Sequence, residues 1–389
     1  MSSSSPSLSS RIIPIIILAH LSIFGLDALL LQLDRNGFSD LMHDVLNDPL
    51  PRFLPDTERL ILKQYVGIPA LDYFFAFTNV FWANVTDGSS PALSLFIFCF
   101  GGQLIAIFLV FMIESKRTVN WSGLVLNWVV WGFLTLALGF GFIAPLFYLI
   151  HLIWTSKATR SQSVHVRDHL SLHTVVPSFL LGWIVPCIFV AYPFSNHNVR
   201  QWSIAVWSIA PVYVFICEKI FTTLLRRLSV GQDAAKPKVT LDKAALSSAY
   251  SFAWNFAVVC QLTTYAVLIA AYVAPGVFPD GVAKSLTLEK VFVPDAAPHS
   301  YRRMTSPASA VQNFLIYDLA TGSIAAIVWA LKLLLEVRPE LAVGEERTNL
   351  ARGVLTSILL SGPMGAAIAL LQHRDESVLS AEAKAVKIQ

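Results

Sequence analysis

Charged side chains are scarce in this sequence. Asp, Glu, Lys and Arg supply 14% of its 389 residues, while 55% are hydrophobic; an average soluble domain carries about 25% charge. So little charge cannot clothe that much apolar material in water, which excludes an ordinary soluble domain. Neither sign prevails, since the net charge is only +3. The basic residues stand in loops beside apolar runs without aromatic interleaving, which excludes nucleic acid as a partner. Cysteine is down to four, Cys99, Cys187, Cys217 and Cys260. All four fall inside apolar runs, with neither the loop placement of a disulfide framework nor zinc-ligand spacing, and read as small hydrophobes. Also missing are a DDxxD magnesium motif, a DxDD acid motif, HExxH, GxSxG, a P-loop and a GxGxxG before a helix. Without them nothing suggests a metal, nucleotide or flavin cofactor.

What is present instead is a series of long apolar runs, at 12–32, 66–84, 92–114, 121–155, 174–193, 203–222, 247–273, 313–336 and 353–372. A helix needs about 20 apolar residues to cross roughly 30 Å of hydrocarbon. The runs therefore predict an all-α fold, a polytopic transmembrane helical bundle of about seven to nine spans. Residues 1–11 form a short polar N-terminus, 12–376 a single integral membrane helical domain, and 377–389 a polar C-terminal tail. The first run contains Asp27 and is followed by LQLDRNGFSD instead of a small-residue cleavage site, so it reads as a retained signal anchor. The second carries Gly67, Pro69, Asp72, Thr78 and Asn79, and is open to a re-entrant or interfacial placement. The fourth is either one long tilted helix or a tight hairpin broken at Gly139-Phe140-Gly141.

The bias of Lys and Arg sets an orientation. Lys157, Arg160 and Arg167 in one loop, and Arg226, Arg227, Lys236, Lys238 and Lys243 in another, place both on the cytosolic side, with the N-terminus cytosolic and the C-terminus lumenal. The acidic loop 34–65 fits the lumenal side. The loop 274–312 falls there too, against its Lys284, Lys290, Arg302 and Arg303. The sequons at Asn84 and Asn120 abut apolar spans and read as chance matches.

Ionisable side chains at membrane depth are costly, and each is a functional candidate. They are Asp27, Asp72, Glu114, His151, Glu218 and Asp318, with Arg374, Asp375 and Glu376 just past the last run. Acids outnumber bases, which suits proton chemistry, because an apolar pocket favours the neutral carboxylic acid. Glu114 precedes Lys116 and Arg117 and has an interfacial reading as well. Glu218 beside Lys219 reads as snorkelling, and His151 as a hydrogen-bonded bundle histidine. Asp72 and Asp318 stand in apolar stretches with no opposite charge within one helical turn. Mid-span aromatics, among them Trp128, Trp131, Tyr148, Trp207, Tyr213, Trp254 and Tyr265, suit packing or an aromatic-faced cavity that stabilises a carbocation.

Several ordered segments carry a resemblance. They are GIPALDYFFAFTNVFW around Asp72, FGGQLIAIFLVFMIESKR containing Gln103 and ending past Glu114, GFIAPLFYLIHL, VPSFLLGWIVP, RQWSIAVWSIAPVYV, NFLIYDLATG with Tyr317 and Asp318, and SGPMGAAIALLQHRDE. In these the chain resembles the fungal membrane-bound terpene cyclases of ascochlorin and ascofuranone biosynthesis, from about Gly67 to Glu376. The resemblance implies a metal-independent cyclase of meroterpenoid secondary metabolism, with no cofactor. It would act on a small hydrophobic prenylated (farnesyl) aryl epoxide drawn from the lipid bilayer: an acid opens the epoxide, a carbocation cyclises, and a base removes a proton. Asp72 and Asp318 are then expected as acid and base or orienting partner, in either order, with Glu114 third, and Gln103, Trp131 and Tyr317 as substrate-binding residues. Arg374 beside Asp375 favours a structural ion pair there. The chain has Ser208 after Trp207 where the family pattern has Gln, which points to a different substrate or product. Residence in the endoplasmic reticulum and association with an upstream epoxidase or monooxygenase are further implications. A carrier of a hydrophobic metabolite, or a scaffold for pathway enzymes, is the competing expectation.

Overall fold

The computed structural model describes residues 8–50, 52–119, 127–155, 160–228 and 236–388; the first seven residues, the Asn120 sequon and Lys157 lie outside them. Among the described residues the chain is helical, with Phe53–Leu60 and Arg117–Val166 as isolated bridges. The main helices are α1 (Ile12–Arg35), α2 (Phe38–Asn47), α3 (Pro69–Phe81), α4 (Pro91–Lys116), α5 (Trp128–Leu138), α6 (Phe140–Trp154), α7 (Val175–Ala191), α8 (His197–Trp207), α9 (Ala210–Leu228), α10 (Lys238–Val273), α11 (Pro307–Val337) and α12 (Gly344–Ile388).

A helix that is apolar on all sides has to be surrounded. That helix is α4, in which every residue from Gly102 to Ser115 is buried. Helices α10 and α12 pack on α4, α11 packs on α6 and α12, and α1 lies along α6 and α11. The outer faces stay greasy: Ile16 and Ile23 of α1, Leu181 and Ile188 of α7, Ile216 and Ile220 of α9, Val259 and Ile269 of α10, and Leu355 and Leu359 of α12 are exposed. An apolar exterior around an apolar interior is what a bilayer solvent permits and water does not.

Among the described residues, α1, α4, α10, α11 and α12 are long and apolar enough to cross a membrane, and a sixth span results if α8 and α9, bent by 62°, count as one. The structure thus gives fewer full-length helices than the seven to nine spans expected from counting apolar runs. The reason is that several runs break. Run 66–84 contains only the 13-residue α3, roughly 20 Å long. Run 121–155 breaks at Gly139, whose φ is 90°. The rings of Trp131 and Phe147, equally spaced on either side of that glycine, lie 5.4 Å apart, so α5 and α6 form the hairpin that was one of the two expectations.

Helix α12 is also broken, at Gly362 (φ 72°) before Pro363. Leu350 and Val354 ahead of the break line one cleft of about 310 Å³ with Leu370 and His373 beyond it; in a straight helix Leu350 and His373 would be roughly 35 Å apart. Arg338, just upstream, reaches Ser377 Oγ at 3.3 Å. The chain therefore doubles back, and its second arm continues as helix to Ile388 with Val378 and Leu379 buried.

This fold-back corrects the expected sidedness of the C-terminus. Arg226 pairs with Asp168 at 2.8 Å, and His165 meets Glu382 at 2.7 Å. The two basic loops and the C-terminal arm therefore share one end of the bundle, because the chain doubles back at Gly362. At the opposite end, Arg35 donates to Pro298 O, Met304 N to Asn36 O, and Arg303 pairs with Asp40. The basic residue Arg303 is there because the acidic loop 34–65 receives it.

Candidate functional site

A helix broken inside a membrane leaves backbone amides and carbonyls without partners, and the bilayer supplies none. At Gly139 the exposed amides belong to the N-terminus of α6. Asp318, on α11 and 4% exposed, accepts from Gly141 N at 2.7 Å. A carboxyl group suits a helix N-terminus, where the peptide dipoles point their positive ends. Space is tight: a Cβ on Gly139 would lie 2.7 Å from Asp318 Oδ1 and 2.9 Å from Leu29 Cδ1, so α1, α6 and α11 meet at this carboxyl.

The break at Gly362 is closed in the same manner by a neutral side chain. Gln103, halfway along α4 and fully buried, donates from Nε2 to Ser361 O at 3.0 Å and accepts at Oε1 from Met364 N at 3.0 Å. An amide that both donates and accepts matches a break that exposes one carbonyl and one N–H. Gln103 is thus committed to the fold of α12.

Glu114 lies near the basic end of the bundle in a buried ionic cluster. Its Oε1 accepts from Arg117 and Arg374, each at 3.2 Å, and its Oε2 meets His151 Nε2 at 3.0 Å. Asp375 accepts from Arg117 at 2.6 Å, Arg374 at 2.8 Å and the Tyr250 hydroxyl at 2.9 Å. Two guanidiniums balance two carboxylates, as burial requires. Trp329 Nε1, which can only donate, gives its proton to His151 Nδ1 at 3.1 Å. His151 Nδ1 is therefore an acceptor and Nε2–H the donor to Glu114. The Arg374–Asp375 pair and the hydrogen-bonded His151 match their structural readings. Glu218 does not snorkel: it is 1% exposed and binds Lys116 at 2.7 Å, because Lys116 of α4 reaches across to it.

Asp318 and Glu114 sit at opposite ends of the seam between the α5–α6 hairpin and α11. An aromatic chain connects the two levels. Phe314, one turn from Asp318, contacts Phe81 (ring centroids 5.3 Å), and the contacts continue through Trp82 (5.1 Å), Trp207 (5.2 Å), Trp183 (5.9 Å) and Phe108 (4.5 Å). Phe111 and Phe147 follow, 4.4 Å apart, with Trp131 against Phe147; Tyr148 then stacks on Trp329 at 4.6 Å. Trp131 is thereby part of this wall. Trp207, whose neighbour Ser208 departs from the family pattern, donates from Nε1 to Cys187 Sγ at 3.1 Å.

The other expected residues lie elsewhere. Asp72, in the first turn of α3, accepts from Tyr65 N (3.0 Å), Val66 N (2.7 Å) and Gly67 N (3.1 Å), which fastens the loop before α3. Tyr317 donates to Ala296 O at 2.8 Å, toward the end opposite the ionic cluster; adjacent residues of a helix face different ways, so it does not accompany Asp318. Asn84 is buried with its amide donating to Pro55 O at 3.1 Å, in keeping with a chance sequon. The sequence reasoning missed the break at Gly362, for which Gly-Pro inside an apolar run is a readable signal. It also missed the gathering of Arg117 and Arg374 on Glu114, for which no local signal exists.

The CtvD-domain family model matches residues 14–379. The chain belongs to that family. It is 29% identical over 369 residues to the terpene cyclase ctvD of Aspergillus terreus (strain NIH 2624 / FGSC A1156), covering 92% of this chain and 97% of that one. It is 26% identical over 322 residues to the terpene cyclase ascI of Acremonium egyptiacum (80% and 79% covered), and 23% identical over 360 residues to the terpene cyclase atmA of Aspergillus flavus (88% and 91%). No solved structure matches the chain. Membership of this family and the apolar helices agree on a membrane protein related to fungal terpene cyclases.

Proposed function

We propose that this chain is a membrane-bound terpene cyclase of fungal secondary metabolism, which opens a terminal epoxide on a prenylated aryl substrate and cyclises the resulting cation. The contrast between its two buried carboxyls carries the reading. Glu114 is held by two guanidiniums and an imidazole N–H and stays an anion. Asp318 faces backbone amides and no cationic side chain among the described residues, and in this scheme it is the group that carries the proton to the substrate. A carboxyl clasped by cations at one end of the seam and a carboxyl with no cationic partner at the other give the two groups different work in this scheme.

Asp318 protonates the epoxide oxygen as the C–O bond breaks, leaving a hydroxyl and a tertiary cation. An alkene of the prenyl chain attacks the cation to close a ring, and loss of a proton or capture by an internal hydroxyl ends the sequence. The product is an isomer of the substrate, and the proton lost restores the acid. The aromatic wall from Phe314 to Trp329 offers the π faces that stabilise a migrating cation. Asp72, tied to three amides outside the seam, serves the fold in this scheme. The endoplasmic reticulum is the proposed membrane, with an epoxidase or monooxygenase nearby as the supplier of substrate.

Microsomes containing the protein, given an epoxidised farnesyl-aryl compound, are expected to form a cyclised isomer detectable by mass spectrometry and NMR. Asp318→Asn should abolish it while the protein stays in the membrane; full activity in that variant would remove Asp318 from the chemistry. The two broken helices also favour a second reading, a carrier of a hydrophobic metabolite, since such breaks mark transport sites. Turnover in detergent without a gradient separates the cyclase from the carrier.

A further inference from the structure

Three hydroxyls in the α5–α6 and α11 seam have no hydrogen-bond partner among the described residues. They are those of Thr135, Tyr148 and Ser323, all buried. Other unpaired atoms, at Asn79 and Glu218, belong to side chains whose second polar atom is engaged, and Asp27 Oδ2 meets His299. In Thr135, Tyr148 and Ser323 the hydroxyl is the side chain's whole polar capacity. A buried hydroxyl without a partner costs about 1–3 kcal/mol, and the fold gains nothing from it.

Their depths span about one helical turn. Thr135 lies about one turn before the break at Gly139, Tyr148 about two turns beyond Gly141, and Ser323 about one and a half turns along α11 from Asp318. All three thus fall in the layer between the Asp318 carboxyl and the Glu114–His151 pair. Tyr148 also stacks on Trp329, which fixes its ring, so the hydroxyl is held in one place.

We infer that this layer is a binding site for oxygen functions of an otherwise apolar ligand, with Tyr148, Thr135 and Ser323 supplying hydrogen bonds to an epoxide oxygen, hydroxyl or carbonyl. The inference rests on the cyclase reading and extends it: the hydroxyls hold oxygen functions of the ligand along the seam between Asp318 and the ionic cluster. A pure hydrocarbon chain would leave them unpaired, so the site discriminates for oxygenated prenyl substrates.

The test uses full-length protein with Tyr148→Phe, Thr135→Val and Ser323→Ala, singly and together. Each change removes a hydroxyl at nearly constant volume, so thermal midpoints in detergent should be no lower than wild type. With the epoxidised farnesyl-aryl substrate, Tyr148→Phe should raise KM or lower kcat/KM roughly tenfold, the worth of about 1.4 kcal/mol, and the triple variant more. Unchanged kinetics in the triple variant would overturn the inference. If wild type forms no product, the cyclase reading fails by itself. The hydroxyl layer is then judged by thermal shift with an unreactive analogue bearing a hydroxyl in place of the epoxide. Stabilisation of wild type but not of the triple variant upholds the layer, and equal shifts, or none in either, refute it.

Discussion

Replacing Gln103 tests the idea that a single side chain of the central helix closes the break in α12. In Gln103→Met the chain length is kept while both hydrogen bonds at 3.0 Å, to Ser361 O and from Met364 N, are lost. Each leaves a buried backbone group unpaired at about 1–3 kcal/mol. The expected loss is about 2–6 kcal/mol, large against a typical total stability of about 5–15 kcal/mol. The complementary change, Gly362→Ala, strains the backbone at φ 72° and drives a Cβ into the Gln103 amide. Because the clash needs the Gln103 side chain, the double variant Gln103→Ala/Gly362→Ala should be less damaged than the sum of its parts, by a coupling of 0.5 kcal/mol or more on the order seen for touching residues. Unfolding in detergent, followed by denaturant titration of wild type, Gln103→Ala, Gly362→Ala and the double variant, measures all four corners of the cycle. A Gln103→Met protein as stable as wild type, or strictly additive single variants, would refute the clamp.

Two further outcomes are expected. Gly139→Ala should destabilise by about 1–3 kcal/mol from positive φ alone, plus the contact with Asp318 and Leu29, read as a lower thermal midpoint and lost cyclisation; a variant with wild-type midpoint would mean that the α5–α6 break is not fixed as described. His165 lies outside the spans between Asp242 (2.6 Å) and Glu382 (2.7 Å), and the Asp242 hydrogen bond, opposed by burial and aided by Glu382, raises its imidazole above the ordinary value. A raised value in the folded state stabilises fully below the unfolded value of about 6.5 and fades as pH climbs through the folded one. His165→Gln should therefore lower the thermal midpoint at pH 6 more than at pH 9, with Lys238 still neutralising Asp242; a pH-independent difference would sink the clamp.

Much of this protein is written in its local sequence. The runs behind α1, α4, α10 and α11 are long, apolar and free of proline over their middles, so each predicts its own helix. Asp318 stood out as a lone acid in such a run, and the structure gives it an isolated position against a helix N-terminus. The glycines at 139 and 141 marked where the fourth run would break if it formed a hairpin, one of its two readings. Where the reading fell short, the missing information was nonlocal. Nothing near Gln103 says that it faces Gly362, and nothing near Glu114 says that Arg374 arrives from α12, because only packing brings those helices together.

The sequence by itself determined the solvent of the fold, the helical class and the family, since these follow from the apolarity and order of segments, which each segment carries alone. The tertiary structure decided what the buried polar groups do. In a bilayer every broken helix end and every charge must find its partner within the protein, and those partners come from helices distant in the chain. The cationic clasp around Glu114, the isolated setting of Asp318 and the unpaired hydroxyls between them therefore exist only once the bundle has closed.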